Sequence, residues 1–219
     1  MQSLFIVATN TDVGKSYASQ KLIEALSKKG LRIGAFKPIE TGVENDEPSD
    51  ATALLNSVKL YNKAFTDLSP KDITAYTFKL PAAPFVADIN KEINIDTILT
   101  KKAQLQELCD ILIIESAGGL MTPINEEYKM IDLIKTLGAK TLLVTPSKLG
   151  CINDTLLAME ALKKREIEYD WCVNLYKDKE HFDTITKPYY DALFPHWWSL
   201  QEGLAGYVNK IVASHKSTH

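Results

Sequence analysis

The stretch "IVATNTDVGKSYASQKL", residues 6–22, decides how the rest of the chain is read. An apolar run ends at Ala8, a short polar turn follows, and a helical pattern begins at Gly14-Lys15-Ser16. Strand, turn and helix in that order bring the N–H groups of the turn and the positive end of the helix to one point, which favours an anion. Lys15 adds a full positive charge. The Ser16 hydroxyl stands where a magnesium ion bridging two phosphates needs an oxygen ligand. The common phosphate-binding pattern GxxxxGK[ST] places its first glycine at Thr9, so the strict pattern fails while its context is present. A plain strand–turn–helix with a surface lysine is the competing reading.

Outward from this stretch, β-rich apolar runs alternate with helical patterns: "LFIVA" at 4–8, "LRIGAF" at 31–36, "DILIIE" at 110–115, "KTLLVT" at 140–145 and "WCVNL" at 171–175. That alternation predicts a three-layer α/β fold, a mostly parallel sheet flanked by helices. Ala18, Leu22, Ala25, Leu26 and Lys29 follow helical spacing, with Gly30 as a stop signal. Ile152, Leu156, Met159 and Leu162 form a second amphipathic pattern. "PIETGVENDEP", residues 38–48, reads as a loop, and "ASHKSTH", residues 213–219, as a frayed tail. The whole of 1–219 reads as one domain without repeats or linkers.

Composition narrows the partners. With 28 acidic against 25 basic residues the net charge is −3, which gives no excess of positive charge for nucleic acid or an anionic membrane. No stretch approaches the ~18 apolar residues of a membrane span, and the first residues lack a secretory pattern. Cys109, Cys151 and Cys172 are too widely spaced for a CxxC motif and read as reduced thiols. A cytoplasmic protein acting on a small molecule is the expectation.

Chemistry-bearing residues gather at predicted strand ends. Glu115 closes "DILIIES" and is a candidate carboxylate for a magnesium ion. Asp50, opening the helical pattern of "SDATAL", reads either as a second ligand or as a helix-start acid stabilised by the dipole. Lys37, in "GAFKPIETG", reads as a second cation for a transferring phosphoryl group or as a lysine snorkelling at the sheet edge. Lys15 and Lys37 are expected to be exposed, so alanine at either position is expected to abolish turnover with the fold intact.

Together these blocks resemble the dethiobiotin synthetases, the ATP-dependent carboxylases of biotin synthesis. Their opening motif reads roughly GTDTEVGKT, one residue longer than the common loop, and "ATNTDVGKS" aligns with it without a gap. The family's first glycine falls on Ala8. "FKPIETG", "SDATAL", "IIESAGGLMTPI" and "SKLGCIN" match further family segments in the same order.

The resemblance implies roles by position. Thr11, Asp12, Val13, Gly14, Lys15, Ser16 and Tyr17 would surround the ATP phosphates. Ser16, Asp50 and Glu115 would hold Mg2+, and Glu115, Ser116, Ala117 and Gly118 would border the nucleotide. Ser116 replaces a family glycine, which is expected to shift that backbone slightly. Lys37, with Lys15 and Thr11, would carry catalysis, and Thr41 would touch substrate. Gly150, Cys151, Ile152 and Asn153 would bind the tail carboxylate of 7,8-diaminopelargonic acid from a neighbouring subunit, so the resemblance implies a homodimer. The implied reaction joins that diamine to CO2 at the expense of ATP.

Past residue 170 the match thins. Asn174 falls where the family places an asparagine on the purine base, but "LYKDKEHFD" lacks the expected proline-bearing pattern, which leaves other nucleoside triphosphates open. Trp197 and Trp198 read as base or partner stacking, or as packing. His181, His196, His215 and His219 lack metal-ligand spacing and read as surface or structural residues. A competing class is a switch ATPase of the partitioning type. It is disfavoured by the absence of a lysine among Ala8, Thr9 and Asn10, and of a basic amphipathic C-terminal helix.

Overall fold

A computed structural model describes residues 2–176 and 179–217 of the chain. The apolar runs form strands β1 (Gln2–Ala8), β2 (Ile33–Thr41), β3 (Thr74–Phe78), β4 (Ile111–Glu115), β5 (Lys140–Pro146) and β6 (Tyr169–Asn174). They make one sheet in the order β3-β2-β4-β1-β5-β6, and every pairing is parallel. β1 and β4 are buried almost without interruption along their length. Parallel strands covered on both faces carry continuous apolar runs, which is why "LFIVA" and "ILII" show no alternation.

The helices are α1 (Lys15–Ser27), α2 (Ser49–Lys59), α3 (Pro84–Ala87), α4 (Ile95–Gln106), α5 (Met130–Thr136), α6 (Cys151–Lys164), α7 (Lys179–His181), α8 (Lys187–Leu193) and α9 (Leu204–Lys216). α1 lies on β1, β2 and β4 and packs against α2 and α9, while α4 covers β2 to β4 and α6 covers β5. Ala18, Leu22, Ile23 and Leu26 supply the buried face of α1. Gly30, in a left-handed conformation with φ 87°, follows its end as the sequence suggests.

Three sequence expectations change. β3 was not foreseen, because "TAYTF" is a short edge strand whose side chains are mostly half-buried, so it lacks an apolar run. Its pairing with β2 runs as far as Thr41↔Phe78, so residues 38–41 are strand and only the remainder of the 38–48 stretch is loop. The tail expected to fray from 213 is helical through Lys216 because α9 docks Tyr207, Val208 and Ile211 into the core; Thr218 and His219 lie outside the described residues. All three cysteines are free and buried. Trp198 stacks on Tyr207 at 5.0 Å, and Trp197 meets Phe182 edge-on at 5.7 Å, so both tryptophans serve packing.

Candidate active site

The sheet order seats β4 between β1 and β2, so the segments leaving these three strands meet at one edge. Thr11, Asp12, Gly14, Lys15, Ser16, Tyr17, Lys37, Thr41, Asp50, Ala117, Gly118 and Asn174 line one cavity of about 800 Å³ there. Val13, Glu115 and Ser116 are buried beside it. Gly150, Cys151, Ile152 and Asn153 do not line it.

Glu115 is the centre of the charge network. Its carboxylate is wholly buried and accepts from Ser16 Oγ at 2.9 Å and Lys37 Nζ at 2.9 Å on Oε1, and from Ser19 Oγ at 2.7 Å on Oε2. Lys37 Nζ also donates to Asp50 Oδ2 at 2.5 Å and to the Ser116 carbonyl at 3.4 Å. The expectation of exposed lysines is therefore wrong: Lys37 is 2% exposed and Lys15 8%. Each is drawn in because β2 and α1 are interior elements and an ion pair or carbonyl is within reach of the ammonium. Lys15 Nζ donates to the Asn10 carbonyl at 3.4 Å.

The two ammonium groups differ in proton affinity. Burial opposes the charge on Lys37, but the Glu115 and Asp50 carboxylates outweigh it and lift the pKa above the ordinary lysine value. Burial lowers the Lys15 pKa below 10.5, and the nearby Lys37 charge lowers it further.

Glycines stand where the backbone is left-handed or a neighbouring chain segment comes close. Gly14 has φ 103°, and a Cβ there would lie 2.1 Å from Asn174 Nδ2. A Cβ on Gly119 would lie 2.7 Å from the Thr9 carbonyl, so the segment after β4 presses on the first loop. Ser116 keeps the ladder in spite of replacing a glycine of the family pattern, its N–H donating to the Ile6 carbonyl at 3.1 Å.

Four residues at this site went unrecognised in the sequence. Ser19 holds the second oxygen of Glu115. Glu40 accepts from the N–H groups of Asp50 at 2.8 Å and Ala51 at 2.9 Å, capping α2 where Pro48 supplies no side-chain cap. Burial raises the Glu40 pKa above 4.5 even as those N–H bonds pull it down. Tyr176 and Gln201 join the cavity wall at its β6 end. Gln201 Nε2 donates to Asn174 Oδ1 at 2.8 Å, while Asn174 Nδ2 donates to the Val13 carbonyl at 2.9 Å. Only the i+3 spacing of Ser19 from Ser16 on a helix signalled any of them.

The turn before α6 is built differently. Gly150, at φ 91°, precedes a helix start that no side chain caps among the described residues. The Cys151 side chain points inward, its Sγ 3.8 Å from Thr186 Oγ1 and 3.9 Å from the Tyr190 hydroxyl. The thiol is therefore turned away from the surface of this turn, where Lys148, Leu149 and Asn153 are exposed.

Hard oxygen donors at the cavity suit a magnesium ion. The carboxylates of Asp50 and Glu115 already converge on one cation, the Lys37 ammonium, and Ser16 Oγ is bonded to the same Glu115 oxygen. Among the described residues no group of three or more His, Cys, Asp or Glu side chains assembles a metal cage. Magnesium in nucleotide sites uses one or two carboxylates and completes its shell with water and phosphate oxygens, so this donor set fits.

Comparison with known proteins agrees with the geometry. A family model described as an AAA domain matches residues 2–175. The chain is 57% identical over 211 residues to the ATP-dependent dethiobiotin synthetase BioD of Sulfurovum sp. (strain NBC37-1), covering 96% of this chain and 100% of that protein. It is 43% identical to the Wolinella succinogenes enzyme of the same name, covering 87% and 88%, and 35% identical to that of Helicobacter pylori, covering 85% and 87%. By fold, it is similar to a plasmid partition protein from Borrelia burgdorferi (TM-score 0.56, 11% identity, 100% of this chain and 99% of that one). It is also similar to the MinC:MinD cell division protein complex of Aquifex aeolicus (TM-score 0.54, 13% identity, 99% and 89%). The fold is thus shared with a partition protein and a cell-division protein complex, whereas sequence identity over most of the chain lies with the dethiobiotin synthetases: this protein belongs to the dethiobiotin synthetase family.

Proposed function

We propose that this chain, acting as one α/β unit, converts 7,8-diaminopelargonic acid, CO2 and ATP to dethiobiotin, ADP and phosphate. One observation carries the reading: Lys37, between Asp50 and Glu115, faces the Lys15–Ser16 phosphate loop across a single cavity, in a chain 57% identical to a dethiobiotin synthetase.

The chemistry needs positioning and charge neutralisation more than a protein nucleophile. One substrate amine adds to CO2 and sheds a proton, leaving a carbamate whose negative oxygens Lys37 and Thr11 stabilise. A carbamate oxygen then attacks the γ-phosphorus while the bond to ADP breaks. Lys15 and the N–H groups of Asp12 to Tyr17 offset the charge spread over the phosphoryl oxygens. The second amine attacks the carbamate carbon, phosphate leaves, a proton is lost, and the cyclic urea closes. Ser16, Asp50 and Glu115 would hold Mg2+, which would supply charge neutralisation for the transferring phosphoryl group. Glu115 to Gly118 border the nucleotide, and Asn174 turns the second lone pair of Oδ1 to the base.

Thr41 contacts the diamine. The turn at Gly150 to Asn153 captures its tail carboxylate from a second copy of the chain, a reading supported by the turn's position outside its own cavity. A homodimer, a cytoplasmic location and the absence of nucleic-acid or membrane partners complete the proposal. The net charge of −3 supports the last of these, since it gives no excess of positive charge for nucleic acid or an anionic membrane. Among the described residues no helix is long and apolar enough to cross a membrane.

The test incubates purified protein with diaminopelargonate, bicarbonate, magnesium and a panel of nucleoside triphosphates, with mass detection of product. Dethiobiotin formation dependent on magnesium and a triphosphate is expected. Nucleotide hydrolysis without dethiobiotin would return the chain to the switch-ATPase class.

A further inference from the structure

Two side chains at the end of β6 reach across to the first loop and hold its backbone. The Tyr176 hydroxyl donates to the Asp12 carbonyl at 3.2 Å, and Asn174 Nδ2 donates to the Val13 carbonyl at 2.9 Å. These are consecutive carbonyls in the least regular part of the loop, where Asp12 has φ 54° and Gly14 φ 103°. A non-glycine residue at positive φ is costly and persists only where its surroundings hold it.

Peptide geometry turns this fastening into an aim. In a trans peptide the C=O and N–H vectors are antiparallel, and no cis bond occurs among the described residues. Pinning the Asp12 and Val13 carbonyls toward β6 therefore directs the N–H groups of Val13 and Gly14 the other way. The sheet order runs β2-β4-β1-β5-β6, so the other way is toward β4 and β2, where Glu115 and Lys37 stand. Successive N–H groups aimed at one point by alternating backbone handedness make an anion-binding concavity.

A second tier orients the first. Gln201 Nε2 donates to Asn174 Oδ1 at 2.8 Å, and Gln201 Oε1 accepts from the Leu175 N–H at 3.0 Å. With its oxygen held by Gln201, the Asn174 amide can present only its nitrogen to the Val13 carbonyl. The close approach of Asn174 Nδ2 to Gly14 leaves no room for any side chain at that position.

We infer that Tyr176 and Asn174, the latter oriented by Gln201, are positioning residues that aim the Val13 and Gly14 N–H groups at the nucleotide's phosphates. This rests on the nucleotide reading of the cavity. It adds to the base-contact role of Asn174 one that is independent of the base.

Inorganic tripolyphosphate, which has no base, separates the two roles. Its affinity and that of ATP are measured with magnesium, by calorimetry, for wild type, Tyr176→Phe, Asn174→Ala and the double variant. A hydrogen bond of ordinary strength predicts a loss of tripolyphosphate affinity of about five- to tenfold for each single variant, matched by an equal loss for ATP in Tyr176→Phe and by at least as large a loss for ATP in Asn174→Ala, with the unfolding temperature of Tyr176→Phe close to wild type. Tyr176→Phe keeps the ring and removes one hydroxyl, so it carries the test if Asn174→Ala does not fold. Loss of ATP affinity with unchanged tripolyphosphate affinity would overturn the inference in favour of base contact. Unchanged affinity for both, or a wild type that does not bind tripolyphosphate, would also overturn it. A wild type that binds tripolyphosphate, is weakened by these variants and makes no dethiobiotin would leave the inference standing and refute the proposed reaction.

Discussion

Lys37 and Glu115 form an ion pair of 2.9 Å in which neither side chain has more than 2% of its surface in contact with solvent. Removing one partner of such a pair strands the other charge. Lys37→Met is therefore expected to destabilise the fold by about 3–5 kcal/mol as well as abolish turnover. Combining it with Glu115→Gln is expected to restore part of the stability and none of the activity. Urea unfolding of the single and double variants measures both effects; a stable, inactive Lys37→Met protein would contradict the buried-pair account.

Ser19 holds Glu115 Oε2 at 2.7 Å from within α1, leaving Oε1 to Ser16 and Lys37. Ser19→Ala leaves a buried carboxylate oxygen short of a donor, at a cost of about 1–3 kcal/mol. It is expected to weaken magnesium-dependent nucleotide binding several-fold by loosening the carboxylate. Glu115→Gln, which removes the charge itself, is expected to weaken it further. Magnesium titrations monitored by nucleotide binding rank the three proteins; equal magnesium dependence in all of them would exclude Glu115 as a ligand.

Glu40 caps α2 through the N–H groups of Asp50 and Ala51 and so fixes the first turn that presents Asp50 to Lys37. Glu40→Ala is expected to cost about 1 kcal/mol, the worth of a helix cap, and to raise KM for the nucleotide more than it lowers kcat. Thermal unfolding and steady-state kinetics check this. A kcat effect with unchanged KM would place Glu40 in the chemistry instead.

Lys15 titrates below 10.5 because it is buried and beside Lys37. In the free protein the folded state holds this proton less tightly than the unfolded chain, so ligand-free stability rises with pH through the window between the two values. A bound phosphate reverses the direction by restoring the proton affinity of Lys15. Nucleotide binding is then expected to take up a proton in alkaline solution, with affinity falling by up to about tenfold per pH unit above the free-protein value. Calorimetry in buffers of different ionisation heat detects the uptake, and Lys15→Met is expected to abolish it.

Much of the fold was legible because parallel buried strands write themselves as apolar runs. "LFIVA", "ILII" and "TLLV" needed only burial on both faces to be recognised. β3 was illegible for the complementary reason, since an edge strand with half-exposed side chains leaves no such run. The phosphate loop was legible through Gly14, Lys15 and Ser16, whose left-handed glycine and helix start are local requirements.

What the chain alone determined was the set of local elements and the order of chemistry-bearing residues along it. Tertiary structure decided that Lys37 and Glu115, 78 residues apart, are buried against each other, and that Asn174 rests on Val13 across 161 residues. The physical reason is strand order. Placing β4 between β1 and β2 brings three strand ends to one edge, and no local propensity encodes which strands become neighbours. That choice follows from how the whole set of apolar faces is buried together.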